Sequence, residues 1–295
     1  MVIEILKSIL YGILEGITEW LPVSSTGHLI LLEEFLPLNV APSLGTTFAE
    51  EYFSMFEVVI QLGAILAVVV MFFGKLNPFS PKKDKTQKKS TWILWGKVVI
   101  ASIPAAIIGV VLDKIIEIAT GKDIDGWIYN WQVVSAALIV YGILFIIIEH
   151  IHKGKDARVN DVEDISFTHA ALIGCFQAIS IVPGTSRSGS TILGSRLIGI
   201  GRGAAAEFSF FMGIPAMAGA SLIKGYGFID YVMESDVSVP ASAWIILGIA
   251  CAVAFGVSMV AIKFLMEFVK KHSFAPFGIY RIALGALVIL YFVLR

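Results

Sequence analysis

Residues 15–28 read Glu15-Gly-Ile-Thr-Glu19-Trp-Leu-Pro22-Val-Ser24-Ser25-Thr26-Gly27-His28, and they interrupt an apolar stretch running from 2 to 36. A helix crosses a hydrocarbon core with about 20 mostly apolar residues. This stretch is long enough, yet it holds two carboxylates, a helix-ending proline and a run of hydroxyls. It reads as two short helices joined by a polar turn, not as one clean span. A second stretch, 167–200, is interrupted in the same way by Pro183-Gly184-Thr185-Ser186-Arg187-Ser188-Gly189-Ser190-Thr191.

The composition around these two stretches fixes the class. Of 295 residues, 57% are hydrophobic and 15% charged, with mean hydropathy +0.84. An ordinary soluble domain is about 45–50% apolar and about 25% charged. One soluble core cannot hide so much apolar surface, so soluble enzyme, nucleic-acid module and disordered scaffold become poor readings. The net charge of −1 offers no field for nucleic acid, and none is expected as a partner. Cys175 and Cys251 lie in apolar runs and read as small buried hydrophobes, not as a disulfide or metal site. The opening MVIEILKSILYGILEG lacks a basic n-region and an Ala-x-Ala site, so it reads as part of the mature fold.

Five further stretches meet the length test: 52–73, 92–112, 131–149, 243–266 and 277–294. A sixth, 204–225, is broken by Gly213 and Pro215 but otherwise apolar. The expectation is an all-α polytopic membrane protein, a single membrane domain over 1–295, with six transmembrane helices and two re-entrant helix hairpins.

The chain also repeats itself weakly. Pro22-x-x-Ser25 aligns with Pro183-x-x-Ser186, Glu57 and Gly63 with Glu207 and Gly213, and Trp92-to-Gly96 with Trp244-to-Gly248. Repeat one is expected over about 1–150, with its hairpin near 15–36. Repeat two covers about 165–295, with its hairpin near 170–200. Loop 74–91 carries six lysines, whereas its equivalent, 226–242, carries Asp230, Glu234 and Asp236 and no Lys or Arg. Opposite charge bias places equivalent loops on opposite sides, the lysine-rich one in the cytoplasm. The repeats are then inverted and both termini external. Broken helices in inverted repeats put the functional site where the breaks meet.

Ionisable groups within apolar spans are costly and are functional candidates. Glu15 and Glu19 share a helix face at i, i+4. Two carboxylates that close call for a cation, a proton or an Arg between them. After Pro22, Ser24, Ser25 and Thr26 supply hydroxyls and backbone N–H groups at a helix start, an anion-binding geometry. A blander reading is an N-cap beside interfacial carboxylates. His28 is the only histidine away from loop ends, where His150, His152, His169 and His272 fall. In the second cluster, Gly184 and Gly189 permit tight turns, and Ser186, Ser188, Ser190 and Thr191 are donors around Arg187, a guanidinium fork suited to phosphate. The bland alternative there is a polar loop whose Arg snorkels to headgroups. Glu57, Gln61, Arg202 and Glu207 suit structural roles at least as well, and Lys97 snorkels or pairs with a carboxylate. Trp92, Trp95, Trp131 and Trp244 read as interfacial anchors. An acidic half-site and a phosphate-clamp half-site together suggest metal-plus-Arg phosphoryl chemistry. His28 would serve as general acid or base and a nearby Ser as nucleophile.

These two motifs resemble the signatures of the bacterial undecaprenyl-diphosphate phosphatases of the bacitracin-resistance type. Phe56-to-Gly63 and Ala206-to-Phe210 resemble family segments too, and the similarity runs over essentially the whole chain. The resemblance implies hydrolysis of undecaprenyl diphosphate to the monophosphate and phosphate. That recycles the lipid carrier for peptidoglycan and confers bacitracin resistance. It implies a divalent cation, Mg2+ or Ca2+, and a site facing the outer side of the cytoplasmic membrane. By this resemblance Glu19, Ser25, His28 and Arg187 are catalytic, and Glu15 and Glu19 hold the metal. Ser24, Thr26, Gly184, Ser186, Ser188 and Thr191 bind substrate. Whether Ser25 attacks phosphorus or positions a water stays open, and a homo-oligomer is compatible with the sequence. The main rival is a transporter or flippase of polyprenyl phosphate lipids built on the same repeats. A second rival, the type 2 phosphatidic acid phosphatases, needs a His where this chain has Leu193 and lacks an acidic pair.

Overall fold

Apolar runs this long become helices because every backbone polar group must find its partner inside the segment. The computed structural model describes residues 1–121, 128 and 130–294; the rest of the expected 1–295 domain lies outside the described residues. The helices are α1 (Val2–Thr18), α2 (Ser25–Phe35), α3 (Gly45–Met71), the short α4 (Phe73–Leu76), α5 (Lys85–Thr120), α6 (Trp131–Ile151), α7 (Phe167–Ala178), α8 (Arg187–Leu197), α9 (Arg202–Glu234), α10 (Ala241–Lys271) and α11 (Ala275–Leu294). Six of them, α3, α5, α6, α9, α10 and α11, are long and apolar enough to cross a membrane. They are the six expected spans, each starting at or before the apolar window that announced it. Their outward faces stay apolar, with Leu222, Ile223, Val260 and Leu294 all exposed.

One expectation is corrected. Gly213 and Pro215 do not break α9, which runs unbroken across them. Proline removes one ladder bond, and packed neighbours can hold a helix together across it; Pro104 inside α5 is a second instance. The first interrupted stretch is helical from Val2 to Thr18, in keeping with two short helices joined by a turn.

Each interrupted stretch is helix, turn, helix, and each turn ends on a serine in the left-handed region. Ser24 has φ 76° and Ser186 has φ 71°. A side chain there costs about 1–3 kcal/mol and persists only where the surroundings enforce it. Both serines cap the helix that follows: Ser24 Oγ accepts from Gly27 N at 3.2 Å and Ser186 Oγ from Gly189 N at 3.1 Å.

The first arms are buried by close helix crossings. α1 lies along α10, and a Cβ on Gly12 would fall 2.6 Å from the Ala250 carbonyl oxygen. α7 lies along α5 in the same manner, with Gly174 directly on the backbone of Ala101. Small residues at such crossings let backbones meet where lipid supplies no hydrophobic drive. α3 packs on α9 and α10, and α6 on α11. The two turns meet inside this frame.

Candidate active site

Glu19 ends α1, and its carboxylate joins the two turns. Its Oε2 accepts a hydrogen bond from Ser25 Oγ at 2.7 Å. Its Oε1 accepts from Arg187 Nη2 at 3.0 Å and Nε at 3.3 Å. Arg187 Nη1 donates to the Ser209 carbonyl at 2.7 Å. Three of the five guanidinium N–H donors are thus engaged, which leaves two for a ligand. Ser25 and Arg187 are each the first residue of their helix, α2 and α8, so both also sit where free backbone N–H groups gather.

A cleft of about 950 Å³ opens onto this group. Of the sequence-predicted residues, Glu19, Ser25, Thr26, Gly184, Ser186 and Arg187 line it. Its far wall is mostly apolar and includes Ala106, Val110, Pro215 and Ile223. The cleft therefore offers a polar end for a charged group and an apolar run for a hydrocarbon chain.

The remaining predicted residues lie behind the cleft. Ser188 Oγ donates to the Glu19 carbonyl at 3.0 Å, tying α8 to the end of α1. Thr191 Oγ1 lies 2.7 Å from Ser209 Oγ, steadying the residue that receives Arg187. Both hydroxyls are spent on protein partners. Ser24 acts as a cap. His28 is not brought to the cleft: its Nδ1 lies 2.6 Å from the Ser24 carbonyl and its Nε2 lies 2.6 Å from Tyr280 Oη. Both ring nitrogens thus have partners at the α2 turn, and the side chain in contact with Ser25 Oγ is the Glu19 carboxylate.

Glu15 is fully buried, and neither carboxylate oxygen has a hydrogen-bond partner. Glu19 and Glu57 lie near enough to repel it, and Arg187 near enough to attract it. An ionised carboxylate so placed needs a counter-charge. That observation fits a cation. Among the described residues no group of three His, Cys, Asp or Glu forms a ready cage. Magnesium sites are commonly made from one or two carboxylates plus substrate phosphates, and Glu15 with Glu19 meets that lesser requirement.

The residues with expected structural roles mostly have them. Glu207 pairs with Lys75 at 2.6 Å, Arg202 pairs with Glu149, and Lys97 Nζ donates to the Glu163 carbonyl at 2.7 Å rather than to a carboxylate.

Arg281 was missed in the sequence. It is fully buried in α11 and donates from Nη1 to Pro22 O at 3.1 Å, and from Nη2 to Gly184 O at 2.6 Å and Thr185 O at 3.0 Å. One side chain thus holds both turns. Its signal was plain: a lone guanidinium in an 18-residue apolar run. Ser209 and Gln177, a buried amide on the cleft wall whose Oε1 has no partner, were missed too.

Residues 8–287 match the family described as bacitracin resistance protein BacA. The chain is 49% identical over 285 residues to the undecaprenyl-diphosphatase of Enterococcus faecalis, covering 97% of this chain and 96% of that one. It is 48% identical over 292 residues to that of Limosilactobacillus fermentum, with 99% of each covered. It is 49% identical over 292 residues to that of Streptococcus suis, covering 99% and 98%. With the two motifs meeting at one carboxylate and the match spanning almost every residue, the chain belongs to the BacA bacitracin resistance protein family.

Proposed function

We propose that this chain is a membrane phosphatase that hydrolyses undecaprenyl diphosphate to undecaprenyl phosphate and inorganic phosphate, and so confers bacitracin resistance. The observation that carries the reading is the Ser25–Glu19–Arg187 contact in a cleft that also offers apolar wall. A hydroxyl 2.7 Å from a carboxylate is a nucleophile beside its base. Ser25 Oγ attacks the terminal phosphorus and passes its proton to Glu19. The bond from that phosphorus to the bridging oxygen breaks, and undecaprenyl phosphate leaves. Glu19 gives that proton to the departing phosphate. Water then attacks the phosphorus and its proton passes to Glu19; the P–Oγ bond breaks, inorganic phosphate leaves, and Ser25 Oγ takes the proton back. Arg187, with its two spare donors, and the first N–H groups of α2 and α8 receive charge on the transferred group.

Glu15 and Glu19 are the residues that would hold a divalent cation, Mg2+ or Ca2+. Bound there, it would neutralise charge on the diphosphate. Phosphate release from undecaprenyl diphosphate by purified protein tests the reading. Release that EDTA abolishes and magnesium or calcium restores supports both enzyme and metal. Release that survives EDTA leaves Glu15 and Glu19 without a metal, and no release from folded protein refutes the enzyme.

The architecture we infer is an inverted repeat with two re-entrant hairpins. Three features support it. α2, α7 and α8 have 11, 12 and 11 residues, about 16–18 Å of helix against a core of about 30 Å. Contacts pair off across the halves, α1 with α10 as α7 with α5. Both second arms start on a serine cap with positive φ. Lysine-rich loop 74–91 favours a cytoplasmic place for that end, so the cleft faces outward from the cytoplasmic membrane.

A further inference from the structure

A second cavity, of about 300 Å³, shares no lining residue with the Glu19 cleft and lies where the ends of α6, α8, α9 and α10 converge. Lys155, Arg196 and Arg202 line it, with Gly201 and Gly203 at the start of α9. No Asp or Glu is among its lining residues. The carboxylate behind it, Glu149, is shared: Oε1 accepts from Arg196 Nε at 3.0 Å, and Oε2 accepts from Arg202. Two guanidiniums balance against one carboxylate, so with Lys155 the wall keeps a surplus of two positive charges. Lys270 and Lys271 follow directly on Val269, another lining residue.

The wall is built, not draped. Arg158 N donates to Gly199 O at 2.9 Å and Gly201 N to Val159 O at 2.7 Å, which pins loop 157–160 to the entry of α9. A Cβ on Gly201 would fall 2.8 Å from Asn160 Oδ1 and 3.2 Å from the Val159 carbonyl oxygen, so the loop packs closely on the entry of α9. The first-turn N–H groups of α9, from Arg202 to Ala204, have no i−4 carbonyl inside the helix. Beside them, a Cβ on Gly203 would meet nothing within 4 Å. An unfilled space, surplus positive charge from three side chains and a helix start therefore coincide. None of these residues belongs to the Glu19 cleft.

We propose that this cavity binds a phosphate group, held by Lys155, Arg196, Arg202 and the start of α9. Basic pockets between the ends of membrane helices suit anionic lipid headgroups, and free phosphate shares the same chemistry.

The full chain, purified in detergent, is titrated with dioleoylphosphatidylglycerol and separately with dioleoylphosphatidylcholine, and bound lipid is counted by native mass spectrometry. Wild type retains one phosphatidylglycerol that phosphatidylcholine does not replace. Lys155→Glu weakens that retention by about 30-fold, a charge reversal at a headgroup site. Gly203→Leu, which fills the open space without changing charge, abolishes it. Unfolding temperatures show that both variants are intact; should Gly203→Leu not fold, the exposed Lys155 decides alone. Lipid that survives millimolar inorganic phosphate identifies a headgroup as the ligand. Lipid displaced by phosphate, with phosphate itself retained by wild type but not by Lys155→Glu, identifies the free ion. Equal retention of both lipids, or selective retention that neither variant alters, overturns the proposal.

Discussion

Gly213→Ala is expected to slow the enzyme without weakening it. Gly213 lies mid-helix in α9, under the Arg187 guanidinium. A Cβ there would sit 3.0 Å from Nη2, 3.1 Å from Cζ and 3.2 Å from Nη1. Ordinary carbon contacts start at about 3.5 Å, so the guanidinium must retreat by about 0.5 Å. Its bonds to Glu19 Oε1 are already 3.0 and 3.3 Å long, and the second would pass the useful limit of a hydrogen bond. A misplacement of about 1 Å can cost ~100-fold in rate, so half of that should cost about tenfold, or about 1.4 kcal/mol on the barrier. Helix propensity acts in the opposite direction: Ala for Gly in a helix interior is worth about 0.5–1 kcal/mol. Turnover and unfolding temperature therefore diverge, the first falling while the second holds or rises. The assay is phosphate release at saturating substrate, with kcat and KM separated, beside a thermal melt. Gly225→Ala, on the same helix with nothing within 4 Å of its Cβ, is the control: it should share the propensity gain in the melt and keep wild-type kcat. Wild-type kcat in Gly213→Ala would refute the claim that Arg187 must hold this position.

Arg281→Lys should lower stability by about 2–5 kcal/mol, because a single ammonium cannot reach three carbonyls and strands buried acceptors. Turnover should fall with it, read by melt and phosphate release on one sample, since both turns lose their common anchor. Lys75→Ala should cost at most about 1 kcal/mol in the same melt, because the lysine side chain of its ion pair is 48% exposed. Ser25→Ala should abolish release while substrate still protects the protein against unfolding; wild-type release would move the attack to water.

Much of the fold was legible because apolar run length is a one-dimensional signal. The spans could be read from 52–73, 92–112 and their fellows, and the interruptions from Pro22 and Pro183 with their hydroxyl runs. Partnership was not legible. Glu19 and Arg187 are 168 positions apart, and no local rule sets Arg187 on Glu19 instead of on a free ligand. His28 drew weight as the one histidine away from loop ends, but its partner Tyr280 is 252 positions away. Arg281 was as conspicuous as Arg187 by the cost of charge in a span, yet it lacked a surrounding motif. The Pro215 reading failed because proline breaks isolated helices more readily than packed ones.

The serine caps also shift the register of the proposed repeat. Aligning Pro22 with Pro183 sets Ser25 against Ser186, but the two left-handed caps are Ser24 and Ser186, one residue displaced. Under the caps' register Ser25 falls opposite Arg187, each the first residue of its second arm. Gly12 falls opposite Gly174, and both sit at a close helix crossing. Glu15 falls opposite Gln177, and both are buried with an unpartnered carboxyl or amide oxygen. The same backbone position thus carries a serine in one turn and an arginine in the other, the nucleophile and the cation of the proposed mechanism. A symmetric pair of serines could not neutralise a diphosphate, and a symmetric pair of arginines could not attack one. Divergence at this one position is what lets two like turns form the single asymmetric phosphoryl site we propose. It also explains why Arg281, which belongs to neither turn, must hold both in register.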